Sequence, residues 1–271
     1  ERCDEYAAKD SRVVVIHQKN GGICNARNAA LKIAKGEYIG FSDHDDEFVQ
    51  GFLEHAYSEA MEHDADLVKV GKREYIYRGD TLIRIKQSCL AHHVYTHEDI
   101  RNEYFCLVDA DEMDCLWDSL IRKRIILDNN LWLNENLKHG GEDIEFMQRL
   151  MPLLHCFVTI DTIYYKHYIR RGFSTSTKWN PDKQEAKMII MTEMVNTMKS
   201  LNIDIKEHEF DYTYQLLRQY IAPRCAFYAN DGCKMANIDK KKALDDIRRM
   251  KFWFPFCDKQ SVKFAWMKSH K

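Results

Sequence analysis

The 271-residue chain predicts an α/β fold, an open sheet followed by a helical C-terminal extension. Two observations carry that prediction. From Arg12 to Val70, short apolar strands alternate with amphipathic helices, the rhythm of right-handed βαβ crossovers and a parallel sheet. The stretch Gly36–Asp46, GEYIGFSDHDD, then runs a buried strand straight into Asp43, Asp45 and Asp46. In open α/β sheets the carboxyl edge of the strands is where ligands bind.

Taken in order, Glu1–Ala8 reads as the tail of a helix. Arg12-Val13-Val14-Val15-Ile16 is a β-branched run typical of a buried parallel strand. Asn20-Gly21-Gly22 is a turn in which glycine permits positive φ and close approach to a ligand. Ile23–Lys35 follows as a helix with Ala26, Ala29, Ala30, Ile33 and Ala34 on one face and Gly36 closing it. Tyr38, Ile39 and Phe41 make the acid-edged strand. Phe48–His63 is a helix by the spacing of Phe52, Leu53, Ala56, Tyr57 and Ala60, and Asp66–Val70 is again a strand. Tyr75–Tyr77 and Thr81–Lys86 flank Arg78-Gly79-Asp80 as a hairpin. Thr96 caps a helix running to Val108, with Asp99 completing a short capping box. Cys115–Ile126 carries Trp117 and a basic turn at Arg122-Lys123-Arg124. Glu142–Met147 is a helix start with acids in its first turn, and Phe157–Tyr165 is β-rich. Beyond Asn180-Pro181, helices are predicted at about 182–201, 211–230 and 239–250, closing on the aromatic run Phe252–Phe256. The domains are therefore drawn at 1–178 for the α/β unit and 179–271 for the helical extension.

Composition narrows the function classes. A net charge of −2 gives the whole chain no nucleic-acid signature. The charge is uneven: Lys234–Lys271 holds eleven Lys/Arg against four Asp/Glu, leaving about −9 on the remainder. Nine scattered cysteines without a C-x-x-C pair favour neither a zinc ribbon nor a disulfide framework and point to a reducing cytosol. No apolar run is long enough to cross a bilayer.

Three carboxylates in four residues repel one another unless a cation sits among them. Hard oxygen ligands favour Mg²⁺ or Mn²⁺, with a substrate diphosphate completing the octahedron. A solvated acidic turn at a strand end is the plainer alternative. The flanking residues decide between them. Asn20-Gly21-Gly22, Ala26-Arg27-Asn28, Gly36-Glu37-Tyr38-Ile39, Phe41 and Asp43-His44-Asp45-Asp46 together resemble the family 2 glycosyltransferases of the GT-A fold. Leu116-Trp117-Asp118-Ser119-Leu120 is similar to that family's W-x-K-L segment, although Ser119 stands where lysine is frequent. Gly141-Glu142-Asp143-x-x-Phe146 resembles its G-E-D-x-x-F motif, and Arg171–Thr177 its R-x-x-S-x-S segment. The ordered set spans roughly the first two thirds of the chain. The family's leading strand–helix–strand, with its D-G-S-x-D motif, has no counterpart here. The chain, opening at Glu1, is read as N-terminally truncated, or else as one that holds its donor poorly.

The resemblance implies a GT-A, Rossmann-like mixed sheet and an inverting, metal-dependent displacement of a nucleoside diphosphate from a sugar by an acceptor hydroxyl. By resemblance, Asp45 is the direct ligand of Mn²⁺ or Mg²⁺. Asp43 lies near the ribose or a metal-bound water, and Asp46 either supports them or caps the following helix. Asp143 is the general base, with Glu142 as the alternative base or an acceptor contact. Arg27 fixes the acidic loop or the donor phosphates. Asn20 and Gly21 are assigned to donor binding, with Asn20 and Asn28 alternatively holding loop backbone. Arg171 and Ser174 belong to a flap over the diphosphate, and His167 either reaches the metal or is structural. The implied partners are a nucleotide-sugar donor such as a UDP-sugar and a glycan or lipid-linked glycan acceptor at the bacterial surface. The implied location is cytoplasmic. The basic, aromatic tail either touches the inner membrane face or packs on the α/β unit. Two other classes stay open, a non-catalytic glycan- or partner-binding relic and a metal-dependent phosphoryl-transfer enzyme.

Overall fold

A computed structural model describes residues 1–110, 113–138, 140–171, 180 and 183–222. Helix α1 (Arg2–Lys9) buries none of its residues. Helix α2 (Ile23–Ile33) starts on Gly22, whose φ of 89° is the conformation expected of the glycine turn. Strand β1 (Tyr38–Gly40) and strand β2 (Glu47–Phe48) bracket the acidic loop. Helix α3 (Phe52–Glu62), strands β3 (Leu67–Arg78), β4 (Thr81–Ser88) and β5 (His93–Thr96), and helices α4 (His97–Asn102) and α5 (Tyr104–Asp109) follow. Strand β6 (Ser119–Arg122), helices α6 (Lys123–Asp128) and α7 (Glu142–Leu150), and strand β7 (Cys156–Arg170) complete the α/β unit. Helices α8 (Lys183–Ser200) and α9 (Glu209–Gln215) come last, α9 continuing as a π turn over Leu216–Ile221.

The sheet is mixed, in the order β1-β6-β3-β7-β2, with β4 hydrogen-bonded to β3 and β5 to β7. Strand β3 pairs in parallel with β7, whereas β6 runs antiparallel between β1 and β3. The crossovers therefore make β1 and β3 run the same way, as expected, but not as neighbours. Consecutive residues feed opposite faces, as strand alternation requires. Leu67, Ile121 and Phe157 join the larger core beneath α2, α4 to α8 and the π turn. Val68, Leu120 and Val158 join the smaller one, covered by Phe52, Ala56 and Ala60 of α3 at helical spacing. Helices on both faces explain why the strands read as apolar runs. Ala186, Met194 and Met198 of α8 lie in the same larger core as Leu31 and Phe146, so packing is continuous across residue 178.

Several expectations are corrected. Residues 12–16 form no strand; Val13, Val14 and Ile16 are 38%, 68% and 40% exposed. Among the described residues no strand pairs with this run, and a β-branched sequence without a ladder partner gains nothing from extended pairing. The helix expected from Phe48 begins at Phe52, because Glu47 and Phe48 pair with Lys166 and Tyr165 of β7. The helix expected from Thr96 to Val108 is broken at Glu103 into α4 and α5, although Thr96 and Asp99 form the predicted capping box. The expected helix at 239–250 and the aromatic run 252–256 lie outside the described residues.

Beneath the sheet's carboxyl edge lies a charge pair that the apolar pattern of β3 conceals. Lys69 Nζ is 2.7 Å from Asp118 Oδ1 and Lys72 Nζ is 3.3 Å from Asp118 Oδ2, with Lys69 and Asp118 almost wholly buried. Residues three apart in a regular strand face opposite ways. Here the register with β7 shifts on both sides of Gly71, where β7 carries extra residues, and both lysines reach one carboxylate. Asp118→Asn leaves the Lys69 ammonium buried without its carboxylate. It should lower the unfolding free energy by about 3–5 kcal/mol in urea titration, and a loss below about 1 kcal/mol would contradict this reading.

Candidate active site

The site is built around one guanidinium. Arg27 points from α2 with its side chain 11% exposed, and three carboxylates surround it. Its Nη2 is 2.7 Å from Asp43 Oδ1, just past the end of β1. Its Nη1 is 2.6 Å from Asp143 Oδ1 and 3.3 Å from Glu142 Oε1, both in the first turn of α7. Its guanidinium also stands 5.7 Å from the ring centre of Phe41. The two acidic motifs, a hundred residues apart in sequence, thus meet at one side chain.

Local sequence explains why α7 can present its acids there. Gly141 caps the helix at φ 91°, and a β-carbon on it would stand 2.8 Å from Ile190 Cδ1 of α8. The backbone conformation strains any side chain there, and the Ile190 terminus would have to shift to admit one. On the opposite wall, Asn28 fastens α2 in place. Its amide donates to the Leu133 carbonyl (2.9 Å) and its oxygen accepts from the Leu133 N–H (2.9 Å). This is the backbone-holding role read from the sequence.

The charges are set by burial. Desolvation pushes the Asp143 carboxyl up, and the Arg27 guanidinium opposes it. Desolvation and then the neighbouring Asp143 push Glu142 up to about 7. Its buried Oε2 has no hydrogen-bond partner among the described residues. Arg27 is desolvated as well, but the surrounding carboxylates outweigh that and raise it.

The rest of the acidic loop is held from β7. Asp46 accepts hydrogen bonds from the Tyr165 hydroxyl (2.9 Å) and the Tyr168 N–H (2.9 Å), while the Asp43 N–H donates to the same Tyr165 oxygen at 3.3 Å. Burial raises the Asp46 carboxyl despite these bonds. Asp46 therefore supports the loop. The helix-cap alternative is overturned, because Gly51 occupies that position in α3. The Tyr165 ring stacks on Trp117 (4.4 Å), and Lys72 Nζ stands 5.1 Å from the Trp117 ring centre. The resemblance places a lysine at Ser119; here ammonium groups reach this segment from Lys69 and Lys72 instead.

Asp45 is more open than Asp43 and Asp46, its side chain 37% exposed, and 3.2 Å from Arg170 Nη1. An accessible carboxylate at the loop tip is a hard oxygen donor of the kind Mg²⁺ or Mn²⁺ takes. His167 does not close a cage with Asp43 and Asp45. The three do not form a group of ligand atoms within 4.8 Å, and His167 Nδ1 lies 3.5 Å from Glu74 while its ring packs on Trp117. Asn20 accepts from the Gly22 N–H (3.0 Å), an Asx turn that sets the start of α2, and Gly21 lies against Asn25. Neither meets Arg27 or its carboxylates. Arg171 is exposed, its N–H bonded to Tyr77 O at 3.0 Å, and Ser174 lies outside the described residues. A groove of about 500 Å³ elsewhere is lined by Phe48, Phe52 and Leu53 among others and by none of these acids.

The mixed sheet and its covering helices have the GT-A fold. Residues 1–110 match the family described as Glycosyl transferase family 2. It is 30% identical over 146 residues to the uncharacterized glycosyltransferase EpsJ of Bacillus subtilis (strain 168), covering 54% of this chain and 42% of that protein. It is 24% identical over 253 residues to the glycosyltransferase GlyA of Streptococcus pneumoniae serotype 4, covering 90% of this chain and 35% of that one. The crystal structure of S. aureus TarS 1-349 in complex with UDP-GlcNAc superposes with a TM-score of 0.54 at 20% identity, covering 74% of this chain and 58% of that one. The chain therefore spans less than half the length of the two curated relatives.

Protonation of Glu142 gives the site a signature. Its folded pKa of about 7 lies above the ordinary 4.5, so the folded state holds this proton longer than the unfolded one does. The stability contribution is whole below about 4.5 and is lost as pH rises through 7. Glu142→Gln should thus raise stability at pH 8 by about 1–3 kcal/mol and change it little at pH 4.5, as read by thermal unfolding at the two pH values. An equal effect at both would contradict the assignment.

Proposed function

We propose that this chain is the catalytic part of an inverting, metal-dependent glycosyltransferase, moving a sugar from a UDP-sugar to a hydroxyl of a bacterial surface glycan. The observation that carries this is the Arg27 bridge, which draws Asp43 of the donor side and Asp143 of the acceptor side to one point. An enzyme of this type needs an anchored nucleotide and a base within reach of the same anomeric carbon.

In this reading Asp143 takes the acceptor hydroxyl's proton as the new glycosidic bond forms. Its desolvated setting favours that, since a raised carboxyl pKa makes a better base. Arg27 keeps the remaining carboxylates from expelling one another and orients Asp143, while Glu142, protonated near neutral pH, donates a hydrogen bond to the acceptor. Asp45 would hold Mn²⁺ or Mg²⁺, and such an ion would neutralise the charge of a departing diphosphate. Asp43 receives the ribose, with Asn20 and Gly21 shaping the turn beneath the nucleotide. Arg171, just past the end of β7, contacts the diphosphate. Asp46, Tyr165 and Trp117 hold the loop rigid beneath them.

The UDP assignment is supported by the TarS structure, a complex with UDP-GlcNAc. A surface-glycan acceptor fits relatives such as the minor teichoic acid biosynthesis protein GgaB. None of the described helices is long and apolar enough to cross a membrane. The placement proposed is cytoplasmic.

Asp143→Asn should lower UDP release from UDP-GlcNAc by about 10²–10⁴-fold while leaving UDP affinity intact. Asp45→Asn should weaken Mn²⁺-dependent UDP binding by calorimetry. Wild-type turnover from the double variant would discard the enzyme reading. Failure of the unmodified chain to bind UDP with Mn²⁺ would favour a non-catalytic, glycan-binding role.

A further inference from the structure

A second group of metal-ligating side chains lies outside the acidic site. His55 and Glu59 of α3 and His63 at its C-cap follow one another at four-residue spacing, so they stand along one helix face. His92, from the short connection between β4 and β5, reaches the same carboxylate. Its Nε2 is 2.9 Å from Glu59 Oε2, and His63 Nε2 is 3.6 Å from that oxygen. One ligand atom from each of Glu59, His63 and His92 lies within 4.8 Å of the other two. Nitrogen and oxygen ligands bound tetrahedrally to zinc at about 2.0–2.1 Å stand about 3.3 Å apart, so small side-chain shifts suffice to close around an ion. His55 adds support from the next turn. Its Nδ1 is 3.1 Å from the Tyr164 hydroxyl and its Nε2 is 3.6 Å from Glu59 Oε1, which orients the carboxylate toward the two other histidines.

We propose that Glu59, His63 and His92 form a binding site for one Zn²⁺ ion, with His55 as a positioning residue. The donor chemistry separates this site from the acidic loop. Two imidazoles and a carboxylate suit zinc and its borderline neighbours, whereas the oxygen-only Asp45 suits Mg²⁺ or Mn²⁺. All three ligands keep some exposure, so the ion has a way in. One ligand comes from α3, one from its C-cap and one from the connection that leads into β5, so the ion staples that connection onto the helix covering the smaller core.

The test uses the tag-free full chain carrying Asp45→Asn, stripped with EDTA and titrated at pH 7.5 with Zn²⁺ and separately with Co²⁺. The proposal expects one equivalent bound, visible Co²⁺ d–d absorption of a four-coordinate site, and a higher thermal midpoint with Zn²⁺. His63→Ala and His92→Ala should each weaken binding by about 10–100-fold or more, since even outer-sphere losses cost that much. Circular dichroism verifies that each variant is folded. No binding, or binding unaltered by both substitutions, overturns the site and leaves a histidine–carboxylate ion-pair cluster only.

Discussion

One guanidinium governs the arrangement. Arg27 is the cation between Asp43, Glu142 and Asp143, three carboxylates that come from two separate segments and are mostly buried. A group of that kind is unstable unless positive charge is supplied, and an arginine supplies it in a planar fork that addresses several oxygens at once. The surrounding architecture serves that meeting. Asn28 locks the helix that carries Arg27, Gly141 allows α7 to begin where it must, and Tyr165 ties the far side of the acidic loop to β7. Burial keeps the shared charge tense, and the raised Glu142 shows where that tension is relieved by a proton.

Underneath, a second electrostatic layer carries the first. Asp118 and its two lysines sit below Trp117, Trp117 lies on Tyr165, and Tyr165 grips Asp46. A buried ion pair contributes little net stability, but it is costly to disturb. Its value here is positional, since a displaced Trp117 would carry Tyr165 and the loop with it.

Much of this was readable from the residues alone. The acid-edged strand, the glycine-opened helix, the Thr96–Asp99 box and the acids starting α7 all have local causes, and local causes survive into the structure. What failed was pairing. Nothing inside Val13–Ile16 says whether a neighbouring strand exists, and nothing inside Phe48 says that β7 will claim it before α3 does. Of the site, the sequence put Arg27 near the acids but could not say that it joins both motifs. Lys69 stands inside the predicted strand Asp66–Val70 and Lys72 just beyond it, and the strand pattern marks neither as a charge partner. A lysine inside a buried strand should itself have signalled a hidden carboxylate, and Asp118 beside Trp117 was the candidate in view.

The irregular register around Gly71 has a consequence for how this protein can change over time. Adding or deleting a single residue between Lys69 and Lys72 would swing one ammonium group away from Asp118 and flip the long hairpin arm that follows. Lineages descended from it are free to lengthen the hairpin tip at Gly79, yet that three-residue interval is closed to insertion. Its length should therefore be inherited more faithfully than the identity of most residues around it.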